Sequence, residues 1–354
     1  TGSVNGAIPA GSLLKAAFIV LTDAVTGSLQ SFSIAIDLNG VRNFQIDGVP
    51  DGKYNIAAVA GMGTKDITLA PPRPLTINGS DVGSVGLVLS AIPQATGSSV
   101  IDKAAFVDAP KKQCSPARGL QYCVMSAHLR GINNQVFEGL ESMGLSLARE
   151  AVPDENGNFQ VQLLGGPGRY HLEISLPDDQ LYIKSVLIPP DSPGRAAIDA
   201  SAGFPVAAGQ SNINLSITLG EGAAGLSGRV TQASASVQMP ARTGVVLVPA
   251  EPGSEGDVTR YLQATVRSDS TFQIRNIPPG QYFVFARAIS NQELVEQLSE
   301  PIWANADSRK KLHDEAEKSG SIVELHQCQS TADFLVRYPS SIAQPKSESK
   351  TSLE

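Results

Sequence analysis

The chain has 354 residues, a net charge of −7 and a pI of about 5.2, with no basic patch to meet a nucleic acid backbone. Charged residues make up 17%, below the ~25% of ordinary soluble domains. No apolar run approaches the ~20 residues of a membrane helix; Ala16-Ala17-Phe18-Ile19-Val20-Leu21 fits a buried strand instead. The chain starts at Thr1, which reads as a processed or excised chain whose signal peptide, if any, is gone.

Gly2 to Ile8 opens a run of strands, followed by Lys15 to Thr22 and by Gln30 to Asp37, which alternates with period two. Asp37-Leu38-Asn39-Gly40 turns the chain into Phe44-Gln45-Ile46-Asp47-Gly48-Val49-Pro50-Asp51-Gly52-Lys53-Tyr54. Phe44 and Ile46 share one strand face. The Pro-x-Gly unit then predicts a type II turn, with Pro50 presetting φ and Gly52 taking a positive φ. A second strand follows, and Pro74 to Ile77 and Val85 to Leu89 complete about seven strands.

The phrase recurs as Phe159-Gln160-Val161 through Pro167-Gly168-Arg169-Tyr170, one residue longer, and as Phe272-Gln273-Ile274 through Pro278-Pro279-Gly280-Gln281-Tyr282. The copies start 115 and 113 residues apart. That period is too long for a solenoid and suits whole sandwich domains in tandem. The expected division is 1–91, 92–221 with a cysteine loop, 222–338, and a tail 339–354 whose Ser, Lys and Pro predict disorder. Phe44, Phe159, Phe272, Tyr54, Tyr170 and Tyr282 are expected in the cores.

In the second segment Val124 to Leu129 and Met143 to Ala148 read as strands. Asp154-Glu155-Asn156-Gly157-Asn158 reads as a hairpin turn rather than a calcium loop, since the closing bidentate Glu is missing. Leu181 to Val186 and Ile213 to Leu219 are further strands. Gly220 to Gly225 reads as a flexible hinge. In the third segment Gly244-Val245-Val246-Leu247-Val248-Pro249 is a core strand. Residues 307–318 predict a helix, with Asp307 as N-cap and Gly320 as stop. Ala332 to Arg337 is the last strand.

Gly228-Arg229-Val230, the strand Val245 to Pro249, Asp269 and the phrase Phe272 to Tyr282 together resemble the carboxypeptidase regulatory-like family, which is transthyretin-like (prealbumin-like). The resemblance covers most of 1–338 and is weaker in the second segment, where Gly165-Gly166-Pro167-Gly168 lengthens the turn. The tandem order is similar to that in secreted proteins of acidobacterial type. The resemblance implies an all-β chain of three tandem Greek-key sandwiches (prealbumin-like or Ig-like) with one short helix in the third. It implies a fold and no reaction.

The four histidines are scattered, no Gly-x-Ser-x-Gly elbow or His-Glu-x-x-His helix is present, and neither a metal, a cofactor nor an enzymatic activity is expected. Cys114 and Cys123 flank a turn-forming Ser-Pro-Ala-Arg-Gly stretch, which predicts a local disulfide and an oxidising compartment. Cys328 reads as a buried apolar residue. Lys15 is the one candidate for an internal Lys–Asn cross-link, with a snorkelling Lys as the simpler reading. Trp303 is the candidate ligand contact, backed by Tyr261 and Tyr182, with core packing as the simpler reading.

These features point to a secreted or cell-surface structural protein: a stalk, an adhesin segment or a filament subunit, partnering itself or other surface proteins. A periplasmic location is a variant of this. The alternatives are a carbohydrate-binding accessory module and the extracellular part of a receptor or transport system. The extended segments at both ends, Gly2 to Ile8 and Ser340 to Glu354, lead to the expectation of head-to-tail contacts between copies.

Overall fold

The computed structural model describes residues 1–9, 16–25, 28–36, 41–60, 68–102, 120, 123–129, 150–164, 167–176, 178–232, 239–290, 293 and 301–338. Lys15, Cys114, the 143–148 strand and the 339–354 tail of the sequence reading lie outside these residues.

Among the described residues the strands fall into six sheets, two for each third of the chain. The first module contains β1 (Gly2–Pro9), β2 (Ala16–Asp23), β3 (Leu29–Ile36), β4 (Val41–Val49), β5 (Gly52–Ala60), β6 (Thr68–Ile77), β7 (Val82–Gly86) and β8 (Ser90–Ala91). Its sheets run β4-β1-β7 and β3-β2-β5-β6-β8. The second contains β9 (Gln94–Asp102), β10 (Val124–Leu129), β11 (Glu150–Ala151), β12 (Asn158–Gln162), β13 (Gly168–Ser175), β14 (Leu181–Ile188), β15 (Ile198–Asp199), β16 (Phe204–Val206) and β17 (Asn212–Glu221). Here the orders are β12-β9-β17-β14-β15 and β11-β10-β13-β16. The third contains β18 (Ala224–Gln232), β19 (Thr243–Pro249), β20 (Leu262–Thr265), β21 (Thr271–Ile277), β22 (Gly280–Ala288), helix α1 (Ala306–Ser319), β23 (Ser321–Leu325) and β24 (Ser330–Tyr338). Its sheets run β21-β18-β24 and β20-β19-β22-β23.

One topology underlies all three. The first strand pairs antiparallel with the strand that opens the repeated phrase, as β1 with β4, β9 with β12 and β18 with β21. On its other side it pairs parallel with the last long strand, as β1 with β7, β9 with β17 and β18 with β24. Each module therefore takes the chain in at one pole and releases it at the other. The departure in the second module is local: β14 joins the sheet of β17, and β16 takes the place beside β13.

Glycine on the first strand explains a packing detail that recurs. Gly6, Gly97 and Gly228 stand directly opposite Phe44, Phe159 and Phe272. A Cβ on Gly97 would come within 2.8 Å of the Phe159 ring and closer still to the Leu215 carbonyl. The missing side chain lets the aromatic ring cover the neighbouring backbone. All three Phe residues are buried, at 5%, 5% and 2% exposure.

The apolar run in β19 is buried along its whole length because both of its faces are covered. Val245 and Leu247 enter the sandwich core, while Val246 and Val248 pack under α1 against Leu312 and Ala316. The helix spans the predicted stretch, but its N-cap is Asn305, whose Oδ1 accepts from the Ser308 amide at 2.8 Å. Asp307 sits in the first turn, where a negative charge suits the helix dipole. Gly320 is the C-cap residue.

Candidate functional site

The repeated phrase builds one pole of each module. Ile277 lies opposite Ala224, at the start of the module's first strand, so the turn after Ile277 faces the preceding module. Val49 opposite Gly2 puts the first copy at the N-terminal pole of the chain.

Its tyrosine has a defined task. The Tyr282 hydroxyl donates to the Pro278 carbonyl at 2.6 Å, and Tyr54 makes the same bond to Pro50 at 2.9 Å. The phrase thus ties its own turn through a side chain that is fully buried in the third module and 3% exposed in the first. Tyr170 is also buried, at 1%, and it stacks on Phe204. Burial pushes the Tyr282 hydroxyl up to about 12, although the neighbouring Arg260 pulls the other way. That guanidinium lies 4.9 Å from the Tyr282 ring centroid and pairs with Glu251, whose other oxygen accepts from the Gln281 amide. Gly280 leaves room for the pair, since a Cβ there would run into Arg260 and Glu251.

The turn differs in detail from the type II form. Gly168 and Gly280 have positive φ, at 154° and 148°, but far from the +80° of that turn. Gly52 is not among the positive-φ residues. The left-handed positions come earlier. Gly48 has φ 70° and Asn276 φ 56°, and each occupies the same place in its phrase. Both sit in a bulge: Asp47 and Gly48 together face Ser3, and Arg275 and Asn276 together face Gly225. A matching bulge marks the parallel edge strands, with Ser84 in β7 and Asp333 in β24 left-handed at 61° and 57°. Such bulges blunt an exposed edge against strand addition.

At Gly48 a Cβ would meet nothing within 4 Å. At Asn276 the side chain reaches into the second module. Its Nδ2 donates to the carbonyls of Asp178 and Leu181, both at 2.7 Å, in the turn between β13 and β14. Beside it Arg275 pairs with Asp179 at 3.3 Å. The same turn receives the linker, for the amides of Gly222 and Ala223 both donate to the Gln180 carbonyl. The stretch expected to be a loose hinge is thereby reduced to two residues between β17 and β18, with Ala223 3% exposed. Glycine composition signalled freedom, but Gly222 at φ 89° serves a tight turn.

A cavity of about 310 Å³ opens along this seam. Ile174 and Ile183 of the second module and Val258, Tyr261 and Trp303 of the third supply apolar wall, and Arg275 and Asn276 lie at its edge. Trp303 is also part of the helix-sheet core, stacked on Tyr261 with ring centroids 6.3 Å apart. Its carbonyl accepts from Arg309 at 2.9 Å. The Tyr261 hydroxyl donates to the Glu255 carbonyl. Tyr182 is not among the residues lining the cavity; its ring covers Gly220.

The predicted cysteine pair is not formed. Cys123 is a free thiol, 1% exposed in the core of the second module. Burial, with a smaller contribution from Asp178, pushes it up to about 11. Spacing suggested a bridge, but Cys123 points into the core just before β10, where it packs as a small apolar group. Cys328 is half-buried and disulfide-bonded rather than a buried apolar residue. Asp154 closes a turn by accepting from the Asn156 and Asn158 amides and from Asn158 Nδ2. Among the described residues no three His, Cys, Asp or Glu side chains gather as a metal site. No described helix is long and apolar enough to cross a membrane.

No family model matches the chain, and no curated protein matches it. Solved structures do. The Bacillus anthracis TIE protein is 9% identical with a TM-score of 0.24, over 95% of this chain and 50% of that one, so the chain spans half its length. BcpA, the major pilin subunit of Bacillus cereus, is 10% identical with a TM-score of 0.22, over 96% and 99%. The major pilin protein T-13 of Streptococcus pyogenes is 8% identical with a TM-score of 0.24, over 62% and 96%. Likeness at this level carries no functional argument.

Proposed function

We propose that the chain is a non-enzymatic structural element of an extracellular surface, a stalk, adhesin segment or filament subunit, in which three sandwiches stand in series. The observation that supports this is the parallel pairing of first and last strands in every module. An antiparallel pairing would return the chain to the pole it came from. The parallel one hands it onward three times. In the same reading the proposed module limits are 1–91, 92–221 and 222–338, and self-association joins the C-terminal pole of one copy to the N-terminal pole of the next.

The carbohydrate-binding alternative would use Trp303 at the seam cavity. It is the weaker reading, because three polar side chains at that wall already have partners: Asn276 with two carbonyls, Arg275 with Asp179 and Gln273, Tyr261 with Glu255. Side chains engaged in this way are poorly placed to read a sugar hydroxyl.

The test of self-association is light scattering of the full chain over a concentration series, with and without Ser340 to Glu354. Mass that grows with concentration, and falls when the tail is deleted, is the expected result. A chain that stays monomeric at high concentration removes the filament and leaves the stalk.

A further inference from the structure

The third module's phrase departs from the first's at several positions, and at one of them Asn276 stands where the first has Gly48 and reaches across the seam. We infer that Asn276 is a bolt that locks the second and third modules into one rigid body. The inference is independent of the stalk reading, since it concerns how two modules are joined and not what they serve.

The position demands a left-handed residue, because the bulge sets φ at 56°. Glycine meets that demand most cheaply, and asparagine is the side-chain-bearing residue that tolerates it best. Only asparagine adds a planar amide with two N–H donors at the end of a short arm. The bulge turns that arm out of the third module's sheet and toward the 178–181 turn. Both N–H bonds of Nδ2 are then used, on two carbonyls of a single turn, at 2.7 Å each. A pair of bonds from one amide fixes direction as well as distance, which a lone surface ion pair does not.

The receiving turn is itself held. Asp178 is 8% exposed, and its Oδ1 accepts from the Gln180 amide at 2.9 Å. Leu181 is fully buried at the start of β14. The linker is bound to the same turn through Gln180. The Arg275–Asp179 pair, with both side chains 53% exposed, adds little by itself. Asn276 is therefore the connection that reaches from a sheet of one module to a core-anchored turn of the other.

The experiment is residual dipolar couplings measured on the full chain, wild type and two variants. Asn276→Gly keeps the left-handed backbone and deletes both bonds. Asn276→Asp keeps size and φ tolerance but turns an acceptor toward two carbonyls. Couplings from the second and third modules of the wild type are expected to fit one alignment tensor. In both variants each module still fits by itself, showing that its fold is intact, while the common tensor is lost. A wild type that needs two tensors overturns the lock. Variants that keep the common tensor overturn the role of Asn276. Arg275→Ala is expected to leave the common tensor in place, and its loss there would move the role from the amide to the ion pair.

Discussion

The first and third modules share a phrase, a bulge, a tyrosine bonded to a proline carbonyl and a blunted parallel edge strand. They differ in what the bulge presents. Gly48 faces open space, while Asn276 spans to another module. The linkers sharpen the contrast. Ile92-Pro93 has the stiffer composition, and Gly222-Ala223 the looser. Yet it is the glycine linker whose amides are bound to the module before it, while Pro93 bonds within its own module by accepting from the Leu163 amide. Stiffness at a domain junction is set by where the backbone groups find partners, and composition is a poor guide to that.

In their cores the two modules should behave alike. Phe272→Ala and Phe44→Ala should each cost about 3–5 kcal/mol, because a cavity adds to the lost transfer energy. Urea unfolding measures this, and a cost under about 1 kcal/mol at either site would separate the two cores.

Alkali comes next. The folded Tyr282 hydroxyl titrates at about 12, above its ordinary value near 10. Its raised pKa gives stability that is complete below pH 10 and is lost as pH rises through 12, on the order of 2 kcal/mol. Chemical denaturation at pH 9 and pH 12 should show the third module weakening across that interval. An unchanged midpoint would mean that burial does not hold the hydroxyl in its neutral form.

The seam follows. Asn276→Gly should lower the stability of the third module by about 1–2 kcal/mol, the net worth of two hydrogen bonds partly replaced by water. The reciprocal change, Gly48→Asn, should fall within about 0.5 kcal/mol of wild type, since it places a tolerated residue where nothing is near. Equal effects at the two sites would erase the difference between the modules.

Much of this was legible in the sequence. Periodicity and the threefold phrase indicated the sandwiches, and the apolar run Val245 to Val248 a core strand, though not the helix that covers its outer face. The pattern could not show that Gly6, Gly97 and Gly228 stand opposite the three Phe residues, because that pairing runs across strands far apart in the chain. The fifth place of the phrase, Gly48 in one copy and Asn276 in another, did carry a signal. Those two residue types share tolerance of left-handed φ, a signal missed when the positive φ was expected in the Pro-x-Gly turn, and only the strand register shows that it marks a bulge. The cysteine pair misled because spacing says nothing of which way a side chain points, and Cys123 points inward.

Three modules in series make a long particle. Strands of about nine residues give each module roughly 30 Å from pole to pole, so three in line approach about 100 Å with their turns. Small-angle X-ray scattering on the dilute full chain tests this directly. Modules in series give an elongated particle with a radius of gyration on the order of 30 Å, whereas a compact globule of this length would give about 20 Å. A value near the compact one would contradict the arrangement in series, and with it the stalk.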